Sequence, residues 1–277
     1  MTTRDRLMGM ANWAGSLGFA LLVWQLLARR SDSFFFPAPS EIFPSMWRTA
    51  DTGFGEPAFL SPSATEGFLG PGFAADVVPS LWRMLRGYTL ATVVGVGAGV
   101  VLGLSETARQ YTDWIVHFFR AIPPPALLGV WLVLFGIGDG PKVYLIAFAV
   151  FSPILLNTID GIASVDNQRI QAVTVFKIPF RRRLTGLYLP SAAPKILSGM
   201  RISLGFAFVM MIISEFAGAT NGLGLRLQDD LKFFNYVDLW ATMIVLAVLG
   251  VLANLAFVAA ENRVLNWQRS ASKALEP

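Results

Sequence analysis

No cysteine occurs in the 277 residues, there is one histidine, and Asp, Glu, Lys and Arg together make up only 14% of the chain. Without cysteine there is no disulfide scaffold and no Cys–His catalytic pair. A lone His117 builds no histidine cluster for zinc, and no metal site is expected. The phosphate loop Gly-x-x-x-x-Gly-Lys-Ser/Thr is missing as well, so the chain does not hydrolyse ATP by that route. Carboxylates are scattered, and no two pair at helical spacing inside an apolar run, which leaves no acid–base pair to nominate. The scarcity of charge excludes most. Soluble domains carry about 25% charged residues; this chain lacks the charge to face water on all sides. With 54% hydrophobic residues and a mean hydropathy of +0.55, it is also too apolar for disorder. An all-α membrane protein is the class that remains. The net charge of +4 and the pI near 9.6 then reflect basic residues held at the cytoplasmic face rather than a nucleic-acid partner.

A spanning helix needs about 20 mainly apolar residues, so charge-free runs serve as the ruler. They predict about six spans: 7–28, 88–104, 121–138, 143–159, 202–225 (interrupted by Glu215) and 239–260. The first has Arg4 and Arg6 before it and ends in Arg29-Arg30 with no small-x-small cleavage site, so it reads as an uncleaved anchor. The chain is expected to form a single transmembrane domain, 1–277. The connection 161–201 carries Arg169, Lys177, Arg181, Arg182, Arg183, Lys195 and Arg201 against one acid, Asp166, and is expected to be cytoplasmic. Six spans then put both termini inside and the segment 29–87, with five basic and six acidic residues, outside. Within that outer segment, residues 51–76 are rich in Gly, Pro, Ser and Phe without a helical or alternating period, the pattern of a loop or lid.

Gly95, Gly99 and Gly103 recur every fourth residue in the second span. They share one helix face, on which a neighbouring helix can approach closely. Ionisable groups in or beside spans usually face a protein interior or a water-filled path. Glu215 is one, readable as a path or gate residue or as half of a structural ion pair. Arg120 is another, suited to an anionic solute or to anchoring the start of the third span. Pro123-Pro124-Pro125 either starts that helix or breaks it beside a cavity. Arg120, Pro124, Phe135 and Glu215 are the candidate path residues.

In the cytoplasmic segment, residues 161–176 suit a helix ended by Lys177-Ile178-Pro179, and a short basic helix from Phe180 to Tyr188 is stopped by Leu189-Pro190. Two short helices across a turn form a docking element for a soluble partner, or a basic surface lying on anionic lipid headgroups. A self-contained secondary transporter would instead show an inverted repeat and buried ion-coupling carboxylates. No internal repeat is present, and Glu215 alone is a candidate. A membrane enzyme would need a catalytic residue that the sequence does not nominate.

At this loop the sequence resembles the permeases of binding-protein-dependent ABC importers, whose signature is Glu-Ala-Ala, three residues, Gly, nine residues, Ile-x-Leu-Pro. The same spacing here holds Gln171-Ala172-Val173, Lys177 and Leu187-Tyr188-Leu189-Pro190. Ala172, Leu189 and Pro190 match; Lys177 replaces the turn glycine, and Pro179 is expected to supply the break instead. Phe36-Pro37-Ala38-Pro39-Ser40-Glu41-Ile42, Ser80-Leu81-Trp82-Arg83 through Gly87-Tyr88, Phe135-Gly136-Ile137-Gly138-Asp139 with Lys142, and Ser214-Glu215-Phe216 with Gly222-Leu223-Gly224 resemble the nitrate/sulfonate/taurine subfamily. The resemblance spans 36–265 except 51–76.

The resemblance implies a bacterial inner-membrane permease, not an enzyme. Two copies, expected as a homodimer, would form the path for a small anionic solute delivered by an extracytoplasmic binding protein. Two ATPase subunits carrying ATP and Mg would dock from the cytoplasm; this chain itself needs no cofactor. Gln171, Ala172, Phe176, Lys177, Ile178, Pro179, Phe180, Leu187, Leu189 and Pro190 would couple to the ATPase, with Phe176, Ile178 and Phe180 supplying apolar contact and Arg181–Arg183 meeting acidic rim groups or headgroups.

Overall fold

The computed structural model describes residues 3–31, 33–52 and 71–266. Every regular element among them is helical. In chain order these are α1 (Thr3–Ser31), α2 (Pro39–Thr52), α3 (Pro71–Leu104), α4 (Glu106–Ala121), a 3₁₀ turn (Pro124–Leu127) running into α5 (Leu128–Phe135), α6 (Asp139–Ala163), α7 (Asn167–Val175), α8 (Phe180–Arg183), a π turn (Leu184–Tyr188), α9 (Leu189–Glu215), α10 (Leu223–Lys232) and α11 (Tyr236–Val264). Four stretches are long and apolar enough to cross a membrane: Ala75–Leu104, Asp139–Ala163, Phe180–Glu215 and Tyr236–Val264. A fifth forms if α4 and Pro124–Phe135, bent by 83°, count as one span. The first predicted span, 7–28, lies inside the single 29-residue helix α1.

Several span limits differ from the charge-free runs. The second span begins upstream of residue 88, because Asp76, Arg83 and Arg86 are inside α3; Arg86, the charge at which the ruler ended, is paired with Asp139 at 3.0 Å. The predicted third span, 121–138, holds only the 3₁₀ turn and α5; α4, all but its last residue outside it, makes up the first half of one broken span. Pro123, Pro124 and Pro125 lack the N–H groups that would continue α4 past Ala121, and the chain turns there. The fifth span ends at Glu215 rather than 225, and on its other side it is not stopped by Leu189-Pro190: helix runs from Phe180 to Glu215. The π turn at Leu184–Tyr188 absorbs the missing donor and the ring bulk of Pro190 without ending the helix. Of the predicted 51–76 loop, residues 53–70 lie outside the described residues, and 71–76 are already helix.

The chain divides into two compact units. In the first (1–78 and 221–247), the Phe36–Ile42 motif turns α1 into α2. Ala38 and Ile42 are buried, and the Ser40 N–H donates to the Gln25 side-chain oxygen at 3.1 Å. Trp24, Phe36 and Trp240 meet with ring centroids 5.2–6.1 Å apart, and the Trp240 indole N–H donates to the Phe35 carbonyl at 3.2 Å. The Gly222 N–H donates to Asp76 at 2.9 Å. On α10, Asp230 is buried beside Arg226 at 3.3 Å, and the Ser45 hydroxyl donates to Asp238.

In the second unit (79–220 and 248–277), α3, α6 and α9 form the core. A Cβ built on Gly87, Gly95, Gly99 or Gly103 would lie 2.8, 3.1, 2.5 or 2.7 Å from side-chain atoms of Ile146, Ile154, Thr158 or Ile162. The glycines thus lay the backbone of α3 directly on α6, and residue numbers rise together along the seam, so these helices run parallel. α6 and α9 are antiparallel: Gly161 meets Ala192, Gly199 meets Asn157, and the Ser203 hydroxyl donates to the Val150 carbonyl at 3.2 Å. The Tyr88 hydroxyl reaches the Met200 carbonyl at 2.7 Å. Parallel α3 and α6 require the intervening α4–α5 segment to return between their opposite ends.

A Gly99→Ala change forces Thr158 and α6 away, whereas nothing lies within 4 Å of a Cβ on Gly97. Gly99→Ala is expected to destabilise by about 1–3 kcal/mol and Gly97→Ala not at all, read as the thermal midpoint of the purified protein in nanodiscs. A second prediction concerns pH. Burial pushes the Asp230 carboxyl up to about 6; Arg226 pulls it back, while Asp238 and Asp229 add to the rise. From the ordinary value of 3.8 up to about 6, the folded chain holds a proton that the unfolded chain has released. Stability therefore falls as pH rises through that window. Asp230→Asn should flatten this slope in thermal unfolding between those limits.

Candidate functional site

One end of the core unit carries a buried polar cluster assembled from three separate sequence motifs. Arg83 on α3 donates from Nη1 to Glu215 at the end of α9 at 2.8 Å and from Nε to Asp139 at the start of α6 at 2.6 Å. The Ser80 hydroxyl, one turn before Arg83, lies 2.8 and 2.9 Å from the two Glu215 oxygens. Arg86 reaches Asp139 at 3.0 Å and lies over the Trp82 ring. Glu215 is fully buried and Arg83 nearly so. Lys142, also buried, donates to the Gly138 and Gly218 carbonyls at 2.6 and 3.1 Å, tying the α5–α6 turn to the segment after α9. Gly136 and Gly138 have φ of 73° and 152°, values that open this turn to glycine and place Asp139 at a helix N-terminus, where a carboxylate is favoured.

Glu215 was singled out in the sequence as an isolated ionisable group, and its partners were not. Ser80, Arg83, Asp139 and Lys142 all stand in the subfamily-like motifs quoted above. The signal that could have grouped them was that three motifs with no shared periodicity each place charged residues in otherwise apolar helices.

Midway along the same unit, a cavity of about 420 Å³ opens between the end of α4, the proline break, α6 and α9. Its lining includes Arg120, Pro124, Phe148, Ser152, Asn157 and Phe206. Two of the four predicted path residues, Arg120 and Pro124, therefore meet at one cavity. Phe135 stands instead in an aromatic group with Tyr144 and Trp131, at 4.4 and 5.7 Å, and Glu215 belongs to the polar cluster. A second cavity, about 480 Å³, is lined by Glu106, Arg109, Asp113, His117 and Asp160 among others. Its charges are of both signs, with Arg109 paired to Glu106 at 2.8 Å and His117 3.6 Å from Asp113.

At the opposite end of α6 and α9 from the polar cluster lies the segment 164–188. The Asp166 side chain caps α7 by accepting from the Gln168 N–H at 3.0 Å. The helix ends with the Lys177 N–H bonded to the Thr174 carbonyl and the Ile178 N–H to the Val173 carbonyl, both at 3.0 Å, the paired bonds of a Schellman turn. Lys177 itself takes the left-handed conformation, φ 49°, at the position where the resembled signature has glycine. The expectation that Pro179 makes the break is thereby corrected: Lys177 makes the turn and Pro179 caps α8. Arg183 Nε donates to the Ile178 carbonyl at 2.6 Å, bracing the turn from the other side. Val175, Phe176 and Phe180 are left 77%, 78% and 59% exposed. Gln171, Ala172 and Pro179 are exposed as well, and Leu187, Leu189 and Pro190 lie at or beside the π turn that leads into α9.

Removing one partner of a buried pair strands the other charge, at a cost of roughly 3–5 kcal/mol. Glu215→Ala should therefore lower the thermal midpoint in nanodiscs far more than Asp139→Ala, because the Asp139 side chain is 46% exposed while that of Glu215 is 0%.

Against known proteins, residues 91–266 match the family described as binding-protein-dependent transport system inner membrane component. The chain is 29% identical over 255 residues to the taurine transport system permease protein TauC of Escherichia coli strain K12, covering 91% of this chain and 88% of that one. It is 28% identical over 241 residues to the bicarbonate transport system permease protein CmpB of Synechococcus elongatus, covering 86% and 83%. In fold it is similar to the MetNI methionine ABC transporter in inward facing conformations, with a TM-score of 0.59, 19% identity and coverage of 68% of this chain and 94% of that chain. Spanning helices, a braced loop between two of them and a family match over residues 91–266 converge: the chain belongs to the binding-protein-dependent transport system inner membrane component family, as the permease subunit of an ABC importer that works with a separate ATPase and a binding protein.

Proposed function

We propose that segment 164–188 is the surface on which the ATPase docks, and that two copies of this chain form the path between two ATPase subunits and one extracytoplasmic binding protein. One observation carries the reading. Three large apolar side chains, Val175, Phe176 and Phe180, stand exposed on a turn held by two Schellman bonds and the Arg183–Ile178 bond. A rigid apolar knob between two spanning helices suits mechanical transmission, because a stiff element passes on displacement without needing reactive groups. ATP and Mg belong on the partner subunit. In this reading 164–188 and both termini are cytoplasmic, in line with the excess of Lys and Arg over acids in 161–201. The polar cluster, at the far end of α6 and α9, then faces the side of the binding protein. The solute is a small anion, in keeping with relatives named for taurine and bicarbonate transport and with Arg120 at the central cavity. Arg120 and Pro124 line the path, and ATP-driven closure of the ATPase pair alternates its opening.

The test is recovery of the ATPase with the tagged chain from its native host in mild detergent, quantified by mass spectrometry. Phe176→Asp combined with Phe180→Asp should lose the ATPase while the permease still inserts. Lys177→Gly, which relieves the left-handed strain of roughly 1–2 kcal/mol, should retain it. Full ATPase recovery with the double aspartate variant would remove the docking assignment.

A further inference from the structure

The central cavity differs from the rest of the molecule in its charge. Arg120 is the single ionisable residue in its lining; the remainder is aromatic, aliphatic, proline, Ser152 and Asn157. The basic residues of the polar cluster and of the neighbouring cavity have acceptors: Arg83 and Arg86 have Asp139, Lys142 has two carbonyls and Arg109 has Glu106. Arg120 makes no hydrogen bond or ion pair with any described residue. Arg120 is an exposed residue in the last turn of α4, and its guanidinium has donors to offer an anion entering the cavity. The cavity, at about 420 Å³, falls in the range of small-molecule sites, about 300–1,000 Å³.

The position of the charge is set by the proline break. α4 ends at Ala121 because Pro123, Pro124 and Pro125 cannot donate. The last turn of α4 carries Arg120, so the break that bends the span also leaves the guanidinium at the opening it creates. Across the cavity, α6 contributes Phe148 and Ser152, and α9 contributes Phe206. The Asn157 amide is held from its own helix, donating to the Pro153 carbonyl at 2.9 Å. A guanidinium with a hydroxyl on one wall and aromatic faces on the others matches an acid group attached to a short apolar body. Arginine binds such a planar or trigonal oxyanion through two parallel donors. The neighbouring 480 Å³ cavity, with Glu106, Asp113 and Asp160 in its wall, offers no such preference.

We infer that the cavity at Arg120, Ser152 and Phe148 is a recognition site within the membrane for a small organic anion, so that selectivity is imposed by the permease as well as by the binding protein. The inference rests on the reading of this chain's path as passing beside the proline break.

The test uses the intact permease–ATPase complex in nanodiscs and equilibrium binding of radiolabelled ethanesulfonate, benzoate and acetate, with choline as the cationic control. At least one of the three anions should bind the wild-type complex and choline should not. Arg120→Gln should weaken that anion about 10- to 100-fold, the worth of a hydrogen bond to a charged group, and Arg120→Lys should restore part of the loss. Ser152→Asp, which places a negative charge in the wall, should abolish anion binding while the ATPase still co-purifies; it stands as the second variant should Arg120→Gln fail to assemble. Binding of none of the three anions, or equal binding by wild type, Arg120→Gln and Ser152→Asp, overturns the inference. That result leaves the docking assignment standing, because recovery of the ATPase on segment 164–188 is measured separately.

Discussion

Arg83 is the group on which the core unit depends. It stands nearly buried on α3 with a carboxylate from α9 on one side and a carboxylate from α6 on the other. In a low-dielectric interior neither Glu215 nor Arg83 is tolerable alone, so the ends of three helices are bound to one another by mutual need for a counter-charge. Glycine does the complementary task along the seam. Gly87, Gly95, Gly99 and Gly103 bring α3 onto α6 at backbone distance, where van der Waals packing replaces the hydrophobic drive that lipid cannot provide. An ionic clamp at one end and close packing below it hold α3, α6 and α9 together.

That stiffness gives the distant loop its meaning. Segment 164–188 joins α6 to α9, the two helices held most closely, and its own turn is braced by the Ile178–Val173, Lys177–Thr174 and Arg183–Ile178 bonds. In the proposed docking reading, a force on Phe176 or Phe180 would enter both helices at once. The chain is interrupted elsewhere, at Ile122–Pro123, where α4 and α5 meet at 83° and the central cavity opens. The molecule therefore combines a braced turn between α6 and α9 with a break between α4 and α5. Prolines make the break without exposing orphan donors, since they carry none.

Much of this was legible in the residues. Five of the six apolar runs fall in α1, α3, α6, α9 and α11 and the sixth covers only the short half of the broken span; the four-residue glycine spacing marked the seam face, and the basic segment 161–201 marked the loop. Helix limits were legible only to within several residues, because charge-free length is a poor ruler for helices whose charges are paired. Asp76, Arg83, Arg86 and Lys142 all lie inside helices or their first turns, and Arg86 and Lys142 were taken as ends. The proline run was open between a helix start and a break, and it is both: the chain bends by 83° after α4, and a new helical turn starts at Pro124. Glu215 was visible but its partners were not, since Ser80 and Arg83 lie 135 and 132 residues away and no periodicity links them.

Composition and motif determined that this chain lives in a membrane, that it holds no phosphate loop of its own, and that it resembles an importer permease. These follow from local chemistry: apolar length, missing residue types and the spacing of a short signature. Tertiary structure decided which charges neutralise one another, which residues line the central cavity, and that Lys177 rather than a glycine makes the left-handed turn. Those outcomes depend on which residues share space, and burial and pairing are properties of the packed helices that no single stretch of chain contains.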